Sequence, residues 1–166
     1  MDKNEMKKNA EFLIKNLPGK DMPGIATINV RYKNLVNFAK CFGITDPKYV
    51  GPEEEGIIAV HAYANVYTVK GIYFLVLGMK IVQNGEERIL IKNPRMLLHA
   101  RNKYNWEGCV KVRPKDKLKV TAKWGKLWLV EENMMLFAEA ITTVKNQNDE
   151  LVCNVVVTAA VRAGGY

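Results

Sequence analysis

An α+β fold, with a curled antiparallel sheet around one long central helix, is what this sequence predicts. Three observations predict it. A long apolar run, GIIAVHAYANVYTVKGIYFLVLG, occupies Gly56 to Gly78. A series of alternating, β-rich segments with turn signals follows it. Helical spacing is confined to what precedes the run. Helices first and antiparallel strands after read as segregated layers, with the sheet wrapped over the one nearly all-apolar helix.

The run is long enough to raise a membrane span, since about 20 apolar residues cross a bilayer. His61, Asn65 and Lys70 interrupt it, Gly71 sits in its middle, and no second such segment follows. A lysine at mid-bilayer costs about 2.5–3.5 kcal/mol. A segment apolar nearly all round and buried inside a domain fits better. Gly71 and the β-rich Ile72 to Leu77 leave two options open: a helix as far as Gly78, or one that ends near Lys70 with a strand after it.

Upstream, Phe12, Leu13 and Leu17, with Ile14 alongside, make an apolar stripe on a helix from Asp2 to Leu17, stopped by Pro18-Gly19. This helix and its Gly/Pro-rich loop form an N-terminal piece, 1–24, ahead of a single domain, 25–166. Ala26 to Tyr32 reads as a strand. Leu35, Phe38, Ala39 and Phe42 fall at i, i+3, i+4 and i+7, which predicts a helix over Asn34 to Phe42. Downstream, Asn84-Gly85 predicts a hairpin within Lys80 to Ile91. Strands are expected at Met96 to Trp106, Lys117 to Val130, Met135 to Lys145 and Leu151 to Arg162. In the second of these Leu118, Val120, Ala122 and Trp124 share one face and Lys117, Lys119, Thr121 and Lys123 the other, with a bulge at Gly125. Such a sheet leaves an open edge and part of the helix uncovered, so oligomerisation is expected.

The length, 166 residues, suits one domain, and 48% hydrophobic with 25% charged residues is an ordinary globular balance. The polar start, Met1-Asp2-Lys3, has no apolar signal core, so a cytoplasmic location is expected. Cys41, Cys109 and Cys153 are odd in number and form no ligand cluster, and are read as packing residues. The net charge of +8 suits an anionic partner or a lysine-rich solvent face. Glu53-Glu54-Glu55 is a helix-start signal rather than an acid/base pair. His61 and His99 are the only histidines, and His61, inside an apolar run, reads as a hydrogen-bonded core residue. No nucleophile elbow, P-loop or dinucleotide fingerprint is present. Trp124 and Trp128 sit in strands, where packing is favoured over a nucleic-acid stacking platform.

Four stretches resemble the MaoC-like dehydratases, in particular their N-terminal, non-catalytic type. They are Phe38 to Tyr49, FAKCFGITDPKY; Leu97 to Trp106, with the pattern L-H-x-x-x-x-Y-x-W; Arg113-Pro114-Lys115-Asp116-Lys117-Leu118, similar to R-P-G-D-x-L with Lys115 in place of glycine; and Asn146 to Gly164, similar to the closing hairpin of the stabilising subunit in two-subunit 3-hydroxyacyl-thioester dehydratases. The resemblance covers 26–164 and implies a hot-dog fold in which domains pair. It implies a lyase of fatty acid metabolism acting on an acyl-CoA or acyl-carrier-protein thioester without a cofactor.

Active members of that family carry a motif close to G-D-x-N-P-x-H-x-D, whose Asp and His activate water for addition to an enoyl thioester. Here Gly43 and Pro47 match, Ile44 stands at the aspartate, Asp46 at the asparagine and Tyr49 at the histidine. Isoleucine moves no proton, and a tyrosine of pKa about 10 replaces an imidazole poorly. The resemblance therefore implies a chain that binds the acyl group and supports a catalytic MaoC-like partner in a dimer. Arg95, Arg101, Lys103 and Arg113 are candidates for contacts to the carrier's phosphates. Asp46, Tyr49, His61 and His99 are the candidate reacting groups of an alternative, a self-sufficient homodimeric hydratase or acyl-CoA thioesterase with a rearranged site. A third reading is a basic nucleic-acid-binding or acyl-CoA-sensing module. Membrane and metal are not expected.

Overall fold

The computed structural model describes residues 2–166. Helix α1 (Lys3–Asn16) begins where Asp2 Oδ1 accepts the amide of Glu5 at 2.8 Å, and it buries Ala10 and Leu13 against the sheet. Strand β1 (Ala26–Asn29), helix α2 (Tyr32–Cys41) and the single turn α3 (Pro47–Val50) follow. α2 starts two residues before the position read from its apolar spacing, because Arg31 already has the extended backbone of a helix N-cap.

The central run is helical over only part of its length. Residues Ile57 to Val60 are irregular, with Ala59 N–H bonded to the Val112 carbonyl at 2.8 Å. A 3₁₀ turn at His61–Tyr63 then leads into α4 (Ala64–Val76). Of the two ends considered for this helix, the later one is close: α4 passes through Gly71 and stops two residues short of Gly78. Gly71 is there for contact. A Cβ at that position would lie 2.8 Å from both γ-carbons of Val120, so the bare backbone lets the helix rest on the sheet.

β2 (Lys80–Gln83) and β3 (Glu86–Ile89) form the hairpin expected at Asn84-Gly85, where both turn residues have positive φ, 55° and 82°. This hairpin is a separate two-stranded sheet. The main sheet contains β4 (Leu97–Asn105), β5 (Lys117–Val130), β6 (Met135–Lys145) and β7 (Leu151–Val161), with β1 added at one side, in the order β1-β5-β6-β7-β4. All neighbours are antiparallel, with the short β1 at one edge and β4 at the other. The inward face of β5 is the predicted one: Leu118, Val120, Ala122 and Trp124 are buried, and its register slips between Trp124 and Leu127, around Gly125. Among the described residues no helix is long and apolar enough to cross a membrane.

At the bend before β5, Lys115 has φ +72°, a left-handed conformation where the motif it resembles carries glycine. Its ammonium lies 3.1 Å from Glu53, but the lysine side chain is 86% exposed and the pair contributes little. The left-handed backbone costs an L-residue about 1–2 kcal/mol, and glycine's extra chain entropy returns about 0.5–1 kcal/mol of that. Lys115→Gly is therefore expected to raise stability by about 0.5–1 kcal/mol, read as a higher urea midpoint. A lower midpoint would show that the Glu53 contact outweighs the backbone.

Candidate functional site

The groups with chemistry gather along the inner side of the edge strand β4. His99 and Tyr104 are five residues apart, an odd number, so unbroken alternation would place them on opposite faces. The pairing with β7 skips Ala100: His99 lies opposite Ala159 and Arg101 opposite Thr158. That bulge changes the parity and brings Asn102 and Tyr104 to the face of His99, against α4.

From α4, Asn65 and Thr68 meet this row. Thr68 Oγ1 donates to the Ala64 carbonyl at 2.8 Å and lies 3.2 Å from Tyr104 OH. Asn102 Nδ2 donates to Tyr104 OH at 2.8 Å and to Asn65 Oδ1 at 2.7 Å, while Asn102 Oδ1 is 3.0 Å from His99 Nε2. Burial pushes the Tyr104 phenol above its ordinary range, and the bonds from Thr68 and Asn102 oppose that shift. Tyr104 stacks on Trp106, with centroids 5.1 Å apart, and Trp106 stacks on His61 at 4.9 Å. The far nitrogen of His61, Nε2, is 3.0 Å from Lys111 Nζ. An ammonium only donates, so Nε2 accepts there and the imidazole proton sits on Nδ1.

Two cavities open along this row. One, about 660 Å³ when its open mouth is counted, runs between α4 and the sheet and has a carbon wall. Leu13 and Leu17 of α1, Ile72 and Val76 of α4, and Trp124 and Tyr166 are among its lining. Of all its lining residues only His99 is exposed, so the imidazole marks its mouth. The other, about 440 Å³ with its open mouth, is bordered by His61, Trp106, Cys109 and Lys111, with Tyr67 also in its wall. Tyr67 OH donates to Cys153 Sγ at 3.8 Å. Burial pushes the Tyr67 phenol far up and the Cys153 thiol up to about 12. Both stay protonated near neutral pH, which suits packing and not nucleophilic work.

The residues singled out from sequence are scattered. Asp46 caps α3, its Oδ1 accepting the Lys48 amide at 2.9 Å, and Tyr49 lies in that turn under the Lys48 ammonium. Ile44 is half-buried just before it. His61 is exposed and paired with Lys111, not a core histidine, because the irregular start of the run carries it to the surface. Cys41 is also exposed, unlike a packing residue, because it falls on the outer side of α2. Arg113 Nη1 donates to the Gly56 carbonyl at 2.8 Å. Arg95 is exposed in a 3₁₀ turn before β4, and the bulge turns Arg101 and Lys103 to the outer face of the strand. Asn65, Thr68, Asn102 and Lys111 were not anticipated. The odd spacing of His99 and Tyr104 pointed to opposite faces, and no signal in the sequence announced the bulge that brings them to one.

Residues 16–155 match the FAS1-like, dehydratase domain region family. The chain belongs to that family. No curated protein matches it. Among solved structures it is similar to the MaoC-like dehydratase of Rhodospirillum rubrum, at 17% identity over 87% of this chain and 92% of that one, with a TM-score of 0.58. The (R)-hydratase PhaJ1 of Pseudomonas aeruginosa gives 14% identity, coverage of 87% and 81%, and 0.56. The HadBC (3R)-hydroxyacyl-ACP dehydratase complex of Mycobacterium tuberculosis gives 12%, 87% and 98%, and 0.58. At such identities these likenesses establish the fold: the family member described here is a hot-dog domain, its curled sheet wrapped on α4, in agreement with the MaoC-like resemblance of its motifs.

Proposed function

We propose that this chain is the acyl-binding subunit of an enoyl-CoA hydratase or 3-hydroxyacyl-thioester dehydratase and supports a catalytic MaoC-like partner. One juxtaposition carries the reading. A narrow, carbon-walled cavity lies beneath the central helix, while by the motif resemblance Ile44 and Tyr49 stand at the positions of the family's proton-transferring aspartate and histidine. The hydrocarbon of the thioester rests in the cavity, the carrier stays outside its mouth, and the partner's acid and base act on the water. The edge strand β4 is the side from which a second hot-dog domain completes the site. A chain of net charge +8 favours the anionic phosphates of coenzyme A or an acidic carrier protein. Arg95, Arg101, Lys103 and Arg113 remain the proposed phosphate contacts.

A missing acid–base pair costs about 10²–10⁴-fold in rate. The chain alone is therefore expected to hydrate a medium-chain enoyl-CoA no faster than buffer, and turnover should appear on addition of a co-expressed MaoC-like partner. Strong activity of the chain alone that survives Tyr49→Phe and His61→Ala would sink this reading. The alternative, a homodimeric enzyme, draws support from the exposed imidazoles His61 and His99 at the two cavity mouths. It requires turnover by the isolated chain that is lost on His61→Ala or His99→Ala.

A further inference from the structure

We infer that His99 is a substrate-positioning residue: its Nδ1 accepts a hydrogen bond from the hydroxyl of a 3-hydroxyacyl thioester whose hydrocarbon lies in the cavity. The inference rests on the acyl-binding reading above and adds the group that tells a hydroxylated chain from a plain one.

The argument is an accounting of protons that starts inside the helix. Thr68 is fully buried, and its hydroxyl proton goes to the Ala64 carbonyl, 2.8 Å away. Thr68 Oγ1 can then only accept from Tyr104 OH, at 3.2 Å. The phenol proton is spent there, so the phenol oxygen accepts from Asn102, and the amide atom 2.8 Å from it is Nδ2. The other Nδ2 hydrogen goes to Asn65 Oδ1 at 2.7 Å. The Asn102 oxygen is thereby turned to His99 Nε2, at 3.0 Å, and an oxygen without hydrogen requires a donor. In the neutral imidazole Nε2 carries the hydrogen and Nδ1 keeps its lone pair. One helix carbonyl, through three side chains, sets the tautomer of a histidine at the surface.

The place of His99 selects the ligand. His99 is the exposed member of an otherwise covered, carbon-walled lining, so it stands where an acyl chain leaves the cavity and its polar end begins. The first donor a 3-hydroxyacyl chain offers beyond its hydrocarbon is the hydroxyl on its third carbon. Alternation from buried Leu97 puts the ring on this side of the strand, and the bulge at Ala100 brings Asn102 and Tyr104 to it.

The test compares (3R)-3-hydroxydecanoyl-CoA with decanoyl-CoA, which lacks only the hydroxyl, by calorimetric titration of the full chain. One neutral hydrogen bond is expected to make the hydroxy ligand bind about three- to tenfold tighter. His99→Ala should abolish that preference, weakening the hydroxy ligand more than decanoyl-CoA, until the two bind alike. Thr68→Val, which does not touch the ligand, should free Tyr104 to donate to Asn102, reverse the amide and move the His99 proton to Nδ1. The preference should then be lost, with the tautomer read from the imidazole ¹⁵N signals. Equal affinity of the wild-type chain for the two thioesters overturns the inference. So does equal weakening of both ligands by His99→Ala, which would place the contact on the carrier's amides. So does a Thr68→Val chain that keeps both tautomer and preference. Failure of either thioester to bind at all overturns the acyl-binding reading as well, whereas binding without discrimination overturns this inference alone.

Discussion

Gly71→Ala is expected to destabilise the protein by about 1–3 kcal/mol, the usual cost of overpacking a filled core, and Gly71→Val by more. The added Cβ would sit 2.8 Å from Val120 Cγ1 and Cγ2 and 2.9 Å from its Cβ. Val120 is fully buried and β-branched, so it has little rotamer freedom with which to yield. It also faces Val144 across the β5–β6 ladder, which holds the strand behind it. The clash belongs to one pair, so removing the two γ-carbons of Val120 should relieve part of it, although the Cβ that Val120→Ala keeps would still lie 2.9 Å away. Val120→Ala alone opens a void, but Gly71→Ala with Val120→Ala puts a methyl back near where two were removed. The double variant should lose clearly less than the sum of the singles, with a coupling of about 1–2 kcal/mol from urea unfolding curves. Additive losses would show that α4 and β5 do not touch at this point.

The second large effect is expected at Tyr166. This residue is fully buried, lines the cavity, and donates its hydroxyl to the Met134 carbonyl at 3.0 Å. Its neighbour Gly165 has no room for a side chain: a Cβ there would stand 2.7 Å from Met96 Cβ and Val161 Cγ1. Tyr166→Ala removes an aromatic ring from the core and should cost about 3–5 kcal/mol. Tyr166→Phe loses only the hydrogen bond and should cost about 1 kcal/mol, with up to about 3 if the carbonyl is left dry. Thermal unfolding of the two variants separates the ring from the hydroxyl. A Tyr166→Ala protein as stable as the wild type would mean that this end of the chain does not close the core.

Much of the architecture was legible because it rests on periodicity. The 3.6-residue spacing of Leu35, Phe38 and Ala39 and the twofold alternation from Leu118 to Trp124 are one-dimensional records of which face is buried. Asn84-Gly85 declared its hairpin because few other residues accept two positive φ angles in succession. The central run was harder. Its apolar content says that it is buried and not in which conformation, and Gly71 argued locally for a helix end. Packing against Val120 overrode that propensity. At the other end, the Ala59–Val112 backbone bond held the first residues of the run beside the sheet instead of in the helix.

The candidate site was legible only in part. His61 and His99 stood out by chemistry, and Ile44 and Tyr49 could be read directly at two positions of the motif that the resemblance supplies. Their surroundings could not. Asn65, Thr68 and Asn102 are ordinary residues that acquire a role through a bulge at Ala100 and the approach of α4 to β4.

What the sequence determined alone is the order of layers and the identity of the buried faces. These depend on residue type and spacing, which a linear pattern records. What only the tertiary structure decided is the direction of the hydrogen bonds from the Ala64 carbonyl to His99 and the placing of that imidazole at the mouth of an apolar cavity. A hydrogen bond has a donor and an acceptor, and which is which depends on every other partner within about 3 Å, most of them distant in the chain.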